Sequence, residues 1–126
     1  MLKKSDLIGF VATSNAARAR QFYEEILGLE FVSGDQFALV FESNGTMIRI
    51  QKVDRVNPRD YTVLGWKVDN IAEEVELLSN RGVRFERYEG MNQDKNGIWT
   101  APSMAKVVWF KDPDGNVLSL TEFADM

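Results

Sequence analysis

"FKDPDGNVLSL", residues 110–120, reads as a strand, a tight turn and a second strand. Pro113 pre-sets φ for the first central position of the turn, Asp112 and Asp114 bond locally, and Gly115 takes the left-handed position. The flanking runs "KVVWFK" (106–111) and "NVLSLTEF" (116–123) are rich in apolar residues, as hairpin strands are. What precedes this hairpin decides whether it is an isolated ornament or the end of a repeated unit.

Upstream, "YTVLGWKV" (61–68) reads as a strand and "DNIAEEVELLSNRG" (69–82) as an amphipathic helix. The helix starts at Asp69 or Asn70, carries Ile71, Val75 and Leu78 on one face, and stops at Gly82. "VRFERYE" (83–89) is read as the next strand. The first half repeats the pattern. "LIGFVAT" (7–13) is a strand and "SNAARARQFYEEILG" (14–28) a helix capped by Ser14 or Asn15 and ended by Gly28. The stretch 30–53 gives three short strands, broken at Ser33-Gly34-Asp35 and at Asn44-Gly45. Asn-Gly is a type I′ hairpin signal, because both central positions need positive φ. The expectation is an α+β domain over 1–126 built from two βαβββ modules, 5–53 and 61–123. Each module is a small curved sheet with one helix outside, and the pair side by side leaves a concave trough.

Composition narrows the function. The 126 residues include 44% hydrophobic and 27% charged residues, typical of a globular chain. No run of about 18 apolar residues offers a membrane span, and no apolar segment behind Lys3 and Lys4 marks a leader. A cytoplasmic location is the default expectation. The net charge of -4 and the interspersed bases give no cluster for displacing counterions from nucleic acid. There is no cysteine and no histidine. That removes disulfides, thiolate chemistry, the usual zinc donors and the commonest general base at neutral pH. Glu42, Glu122 and Tyr23 remain as acid–base candidates if burial shifts them.

Two motifs carry a resemblance across nearly the whole chain, from Leu7 to Phe123. "RQFYEEILGLEF" (20–31) is similar to an FY-x-x-x-LG-L signature, and "FKDPDGNVLSL" to an F-x-DPDGN hairpin. Together they resemble the vicinal oxygen chelate superfamily of glyoxalases, extradiol dioxygenases, fosfomycin-resistance enzymes and bleomycin-resistance proteins. The resemblance implies the paired βαβββ fold, a cavity for a small molecule, and a homodimer. In the metal-dependent members, His, Glu or Gln ligands come from the first and last strands of each module. Here those positions fall on Ile8, Arg49, Val63 and Ser119, and the neighbours Leu7, Gly9, Thr62 and Leu64 supply no replacement.

Strand alternation assigns the open faces. Ile8, Phe10 and Ala12, with Met47, Arg49 and Gln51, share one face; Val63, Gly65 and Lys67, with Val117, Ser119 and Thr121, share the other. Ile48, Ile50, Leu64, Trp66, Leu118 and Leu120 fall beneath the helices. Phe37 and Phe41 are in step and face either the trough or a partner subunit. The long stretch 88–106 reads as a loop offering Met91, Trp99 and Met104 to something apolar. Trp99 either stacks on a planar ligand or packs on its own hairpin. Arg49 either receives an anionic group or pairs with Glu42 or Glu122. The expected protein binds a small organic molecule without metal, cofactor or catalytic group, as bleomycin-resistance proteins do. Ile8, Phe10, Met47, Val63 and Trp99 form its apolar wall, and Arg49 and Ser119 its polar anchors. The alternative is a glyoxalase-like lyase or isomerase with a carboxylate metal site at Glu42 and Glu122.

Overall fold

A computed structural model describes residues 1–125. The chain falls into two compact units, Met1–Pro58 and Arg59–Met126.

In the first unit the order is β1 (Ile8–Thr13), α1 (Ala16–Gln21) continuing as a π-helical stretch Phe22–Ile26, β2 (Glu30–Gly34), β3 (Ala38–Ser43) and β4 (Thr46–Lys52). The sheet runs β1-β4-β3-β2, with β1 and β4 parallel and the rest antiparallel. Asn15 is the N-cap, its side chain accepting from Arg18 N at 3.2 Å, and Gly28 ends the helix at φ 76°. Between β3 and β4 the two turn residues are Asn44 (φ 46°) and Gly45 (φ 86°), the pair of positive angles that a type I′ turn demands. The core is Val11, Tyr23, Leu39, Phe41, Ile48 and Ile50, all buried. Phe41 is fully enclosed, with Tyr23 at 6.0 Å and Phe31 at 5.5 Å between ring centroids. It is core, packed beneath the first cleft, which corrects its reading as an open residue facing the trough or a partner subunit. Phe37 lies outside β3, on a turn tied by Asp35 Oδ1 accepting from Phe37 N and Ala38 N.

The second unit runs β5 (Thr62–Lys67), α2 (Ile71–Asn80), β6 (Trp99–Thr100), β7 (Lys106–Lys111) and β8 (Val117–Glu122), in the sheet order β5-β8-β7-β6. Asn70 caps α2 by accepting from Glu73 N. Ile71, Val75 and Leu78 are buried with Val108, Phe110, Leu118 and Leu120, so the apolar stripe of the helix closes the core as its spacing predicts. Leu64 and Trp66 are half-buried.

The expected strand over 83–89 does not form. Only Phe85 bridges to Phe110. Beyond it, side chains take the backbone groups that a ladder needs. Gln93 Nε2 donates to Glu86 O and Gly97 O, Gln93 Oε1 accepts from Tyr88 N, and Arg87 Nη2 donates to Asp94 O and Lys95 O. The fourth strand of the module is instead Trp99–Thr100, paired with Val107 and Lys106. Each unit is thus a four-stranded mixed sheet with one helical segment, the βαβββ pattern in both halves.

The turn at 112–116 is an internally bonded knot. Asp112 is 6% exposed; its Oδ1 accepts from Asp114 N and Asn116 N, both at 2.9 Å, and its Oδ2 from Asn116 Nδ2 at 2.8 Å. Asp112 is therefore occupied in holding the hairpin.

Candidate functional site

In the first unit, alternation along β1 and β4 separates two faces cleanly. Val11, Ile48 and Ile50 go inward, while Ile8, Phe10 and Met47 are 44%, 51% and 41% exposed. Three such side chains on adjacent strands are an apolar surface that folding leaves open to water. Register orders that surface into rows. Ile8 sits beside Met47, which sits beside Glu42; Phe10 sits beside Arg49, which sits beside Val40. A cleft of about 360 Å³ opens on the first row, lined by Asp6, Leu7, Ile8, Val40, Glu42 and Met47 among others. Its volume lies at the low end of small-molecule sites. Phe10 and Arg49 lie one row further along the same face. Glu30 stands directly across from Glu42, so this end of the sheet carries like charges side by side, an arrangement that disfavours the fold slightly.

Arg49 is half-buried, and among the described residues it makes no ion pair within 4 Å. Neither structural partner expected for it is used. Glu42 lies beside Met47 on the adjacent row, and Glu122 Oε1 accepts from Ile71 N at 3.0 Å, closing the start of α2. Arg49 does contribute to the field at Asp35. That carboxyl is held below its ordinary range first by the N–H groups of Phe37 and Ala38, and more weakly by the Arg49 and Lys52 charges.

In the second unit the open face departs from simple alternation. The register slips between Thr62 and Leu64, so Thr62 pairs with Val117, Leu64 with Leu118, and Val63 is an extra, bulged residue. Thr62, rather than Val63, therefore takes the place beside Val117 in the ladder. Ser119 is 8% exposed and sits between Gly65 and Trp109 in the ladder. A Cβ on Gly65 would come within 2.6 Å of Ser119 Oγ, so the missing side chain at 65 is what lets the serine lie there. Trp99 packs on its own hairpin, paired with Val107 and with its ring 6.0 Å from that of Trp109.

A second pocket, about 250 Å³, was missed in the sequence. It is lined by Asp60, Tyr61, Thr62, Tyr88, Met91, Trp109 and Val117. Counting back through the hairpin turn places Lys111 opposite Val117 and Trp109 opposite Ser119, and that count assigns Trp109 to the open face. Nothing local announces Tyr88. Of the seven expected site residues, the first cleft holds Ile8 and Met47, and the second pocket holds none.

The four positions at which the resemblance puts metal ligands offer alkyl groups, a guanidinium and one hydroxyl. Among the described residues, no group of three or more Asp or Glu side chains is placed to hold a metal ion. These donors do not fit a divalent cation, which takes several anionic or carbonyl oxygens.

Comparison with known proteins agrees with the fold. The family model for the Glyoxalase/Bleomycin resistance protein/Dioxygenase superfamily matches residues 6–120. A superfamily member from Sphaerobacter thermophilus is 24% identical with a TM-score of 0.76, over 97% of this chain and 99% of that one. TnmS3, an antibiotic binding protein from Streptomyces sp. CB03234, is 20% identical with a TM-score of 0.73, over 98% and 99%. Lactoylglutathione lyase from Agrobacterium tumefaciens is 16% identical with a TM-score of 0.72, over 97% and 96%. No curated protein matches the chain in sequence. At these identities the structures share the fold, and the fold hosts more than one chemistry.

Proposed function

Because the chain belongs to the Glyoxalase/Bleomycin resistance protein/Dioxygenase superfamily, we propose that it is a metal-independent binding protein for a small organic molecule. The observation that carries this is the open face of the first unit, where Ile8, Phe10 and Met47 stay exposed beside a half-buried Arg49 that makes no ion pair among the described residues. A guanidinium on an apolar surface is poised to receive a carboxylate, phosphate or sulfonate bidentately while the ligand's hydrocarbon covers its neighbours. The ligand is thus an amphipathic, aromatic or aliphatic anion.

The fold is shared with an antibiotic binding protein, so sequestration is a function this fold accommodates. The same reading makes the protein a cytoplasmic homodimer acting on neither nucleic acid nor membrane, and light scattering would report twice the chain mass. The lyase or isomerase alternative loses one of its two carboxylate candidates, since Glu122 is engaged at the start of α2.

The test is a thermal-shift and calorimetric screen of amphipathic anions against matched neutral amides. The proposal expects at least one anion to bind at micromolar affinity. Arg49→Ala should weaken that anion by about 10- to 100-fold, the loss of a charge-assisted bidentate pair at about 1.5–3 kcal/mol. Equal binding of anion and amide, or an unaffected Arg49→Ala, overturns it.

A further inference from the structure

The pocket of the second unit has a different chemistry from the cleft of the first, and none of the seven expected site residues lines it. We propose that the pocket bounded by Asp60, Tyr61, Tyr88 and Trp109 is a receptor for an alkylated ammonium group, of the trimethylammonium type, carried on a small molecule.

Four observations meet here. First, Tyr88 and Trp109 stand edge to face, with centroids 5.5 Å apart and planes at 80°. Two rings so placed offer ring faces at right angles, and Tyr61 adds a third aromatic side chain to the lining. Electron-rich ring faces attract cations, most strongly where water is excluded. Second, Asp60 lines the same pocket and makes no ion pair among the described residues. Its charge is felt inside. Burial raises the Tyr88 phenol above its ordinary value, and the Glu86 and Asp60 carboxylates push it in the same direction.

Third, Arg87, next to Tyr88, and Lys111, two residues from Trp109, are engaged elsewhere. Lys111 pairs with Glu86 at 3.5 Å, and Arg87 Nη2 binds the carbonyls of Asp94 and Lys95, each at 2.7 Å. The one close cation–ring contact found among the described residues is Arg20 over Phe31, in the first unit. Fourth, much of the wall suits an alkylated cation. Rings, the Met91 thioether and Val117 supply carbon and sulfur for its methyl groups, beside the Asp60 carboxylate. The volume of about 250 Å³ is below the range of about 300–1,000 Å³ for drug-sized ligands, which suits a compact head group with a short tail.

The experiment titrates the full chain with choline, with tetramethylammonium, and with 3,3-dimethylbutanol, the neutral isostere of choline. Binding is followed by tryptophan fluorescence and by chemical shifts of the Trp109 indole. The proposal expects choline to bind about tenfold or more tighter than the isostere, as a cation facing two rings and a carboxylate should. Tyr61→Ala and Asp60→Asn alter exposed residues and should each weaken choline about three- to tenfold, and Asp60→Asn should leave the isostere unchanged. Equal affinity for choline and the isostere overturns the proposal. So does absence of saturable binding of either cation below about 10 mM, or variants that bind as the parent does. A trimethyllysine peptide that binds tenfold tighter than choline would move the cation onto a protein and overturn the small-molecule assignment. The first unit's cleft shares none of these residues, so either outcome leaves Arg49 and its anion to be judged separately.

Discussion

Replacing Asp112 by alanine should be one of the most damaging single changes in this protein, without touching either pocket. The carboxylate accepts three hydrogen bonds, from Asp114 N, Asn116 N and Asn116 Nδ2. Asp112 and Asn116 are 6% and 7% exposed, so the two Asn116 donors would lose their acceptor out of reach of bulk water. Each buried donor left unpaired costs about 1–3 kcal/mol. Asp114 N is half-buried, and a water can replace its partner at small cost. The sum is a loss of about 3–5 kcal/mol, a large part of the usual stability of a domain this size.

Asparagine at 112 makes the contrast informative. It keeps one oxygen for the two backbone N–H groups but sets its own NH2 against that of Asn116, a conflict that a flip of the Asn116 amide relieves in part. About 1–2 kcal/mol is expected. Urea unfolding reads both as shifts in midpoint at unchanged slope. If Asp112→Ala costs under about 1 kcal/mol, or Asp112→Asn costs as much as alanine, the acceptor geometry is not what holds the hairpin.

Other consequences concern the second unit's open face. Gly65→Ala brings a Cβ to 2.6 Å from Ser119 Oγ and 3.3 Å from Ser119 O. It should cost about 1–3 kcal/mol in urea unfolding, with about half recovered in a Ser119→Ala background. Additivity of the two changes within about 0.5 kcal/mol contradicts the contact. At the alkaline end, the raised pKa of Tyr88 means that the unfolded chain releases the phenolic proton first. Its contribution is intact below about pH 10 and is lost as pH rises through the folded value. Tyr88→Phe should therefore flatten the alkaline fall in stability, and an unchanged slope refutes the shift.

The parts of this fold that local chemistry dictates were legible. Asn44-Gly45 and Asp112 to Gly115 specify their turns, Asn15, Asn70, Gly28 and Gly82 bound the helices, and Ile71, Val75 and Leu78 have one face between them. The first unit's open face followed as well, because β1 and β4 pair in register without interruption. What failed had non-local causes. Residues 83–89 carry a strand's composition, yet the Gln93 amide takes the Glu86 carbonyl and the Tyr88 N–H of that region. The bulge at Val63 leaves no mark in a β-branched pair such as Thr62-Val63. Phe41 looked exposed because Phe37 was counted onto its strand, whereas the Asp35 turn starts β3 at Ala38. Tyr88 reaches the second pocket from a loop, where no periodicity places a side chain.

The central claim is that this member of the superfamily binds its ligand without a metal ion. Elemental analysis of the purified protein, dialysed in turn against manganese, nickel, zinc and iron and then against buffer, tests it most directly. The account predicts less than about a tenth of an equivalent of any ion per chain and no rise in Tm with any of them, since an ion without a native site contributes no linkage. A stoichiometric ion that raises Tm would contradict it and turn attention to the Asp6 and Glu42 carboxylates of the first cleft.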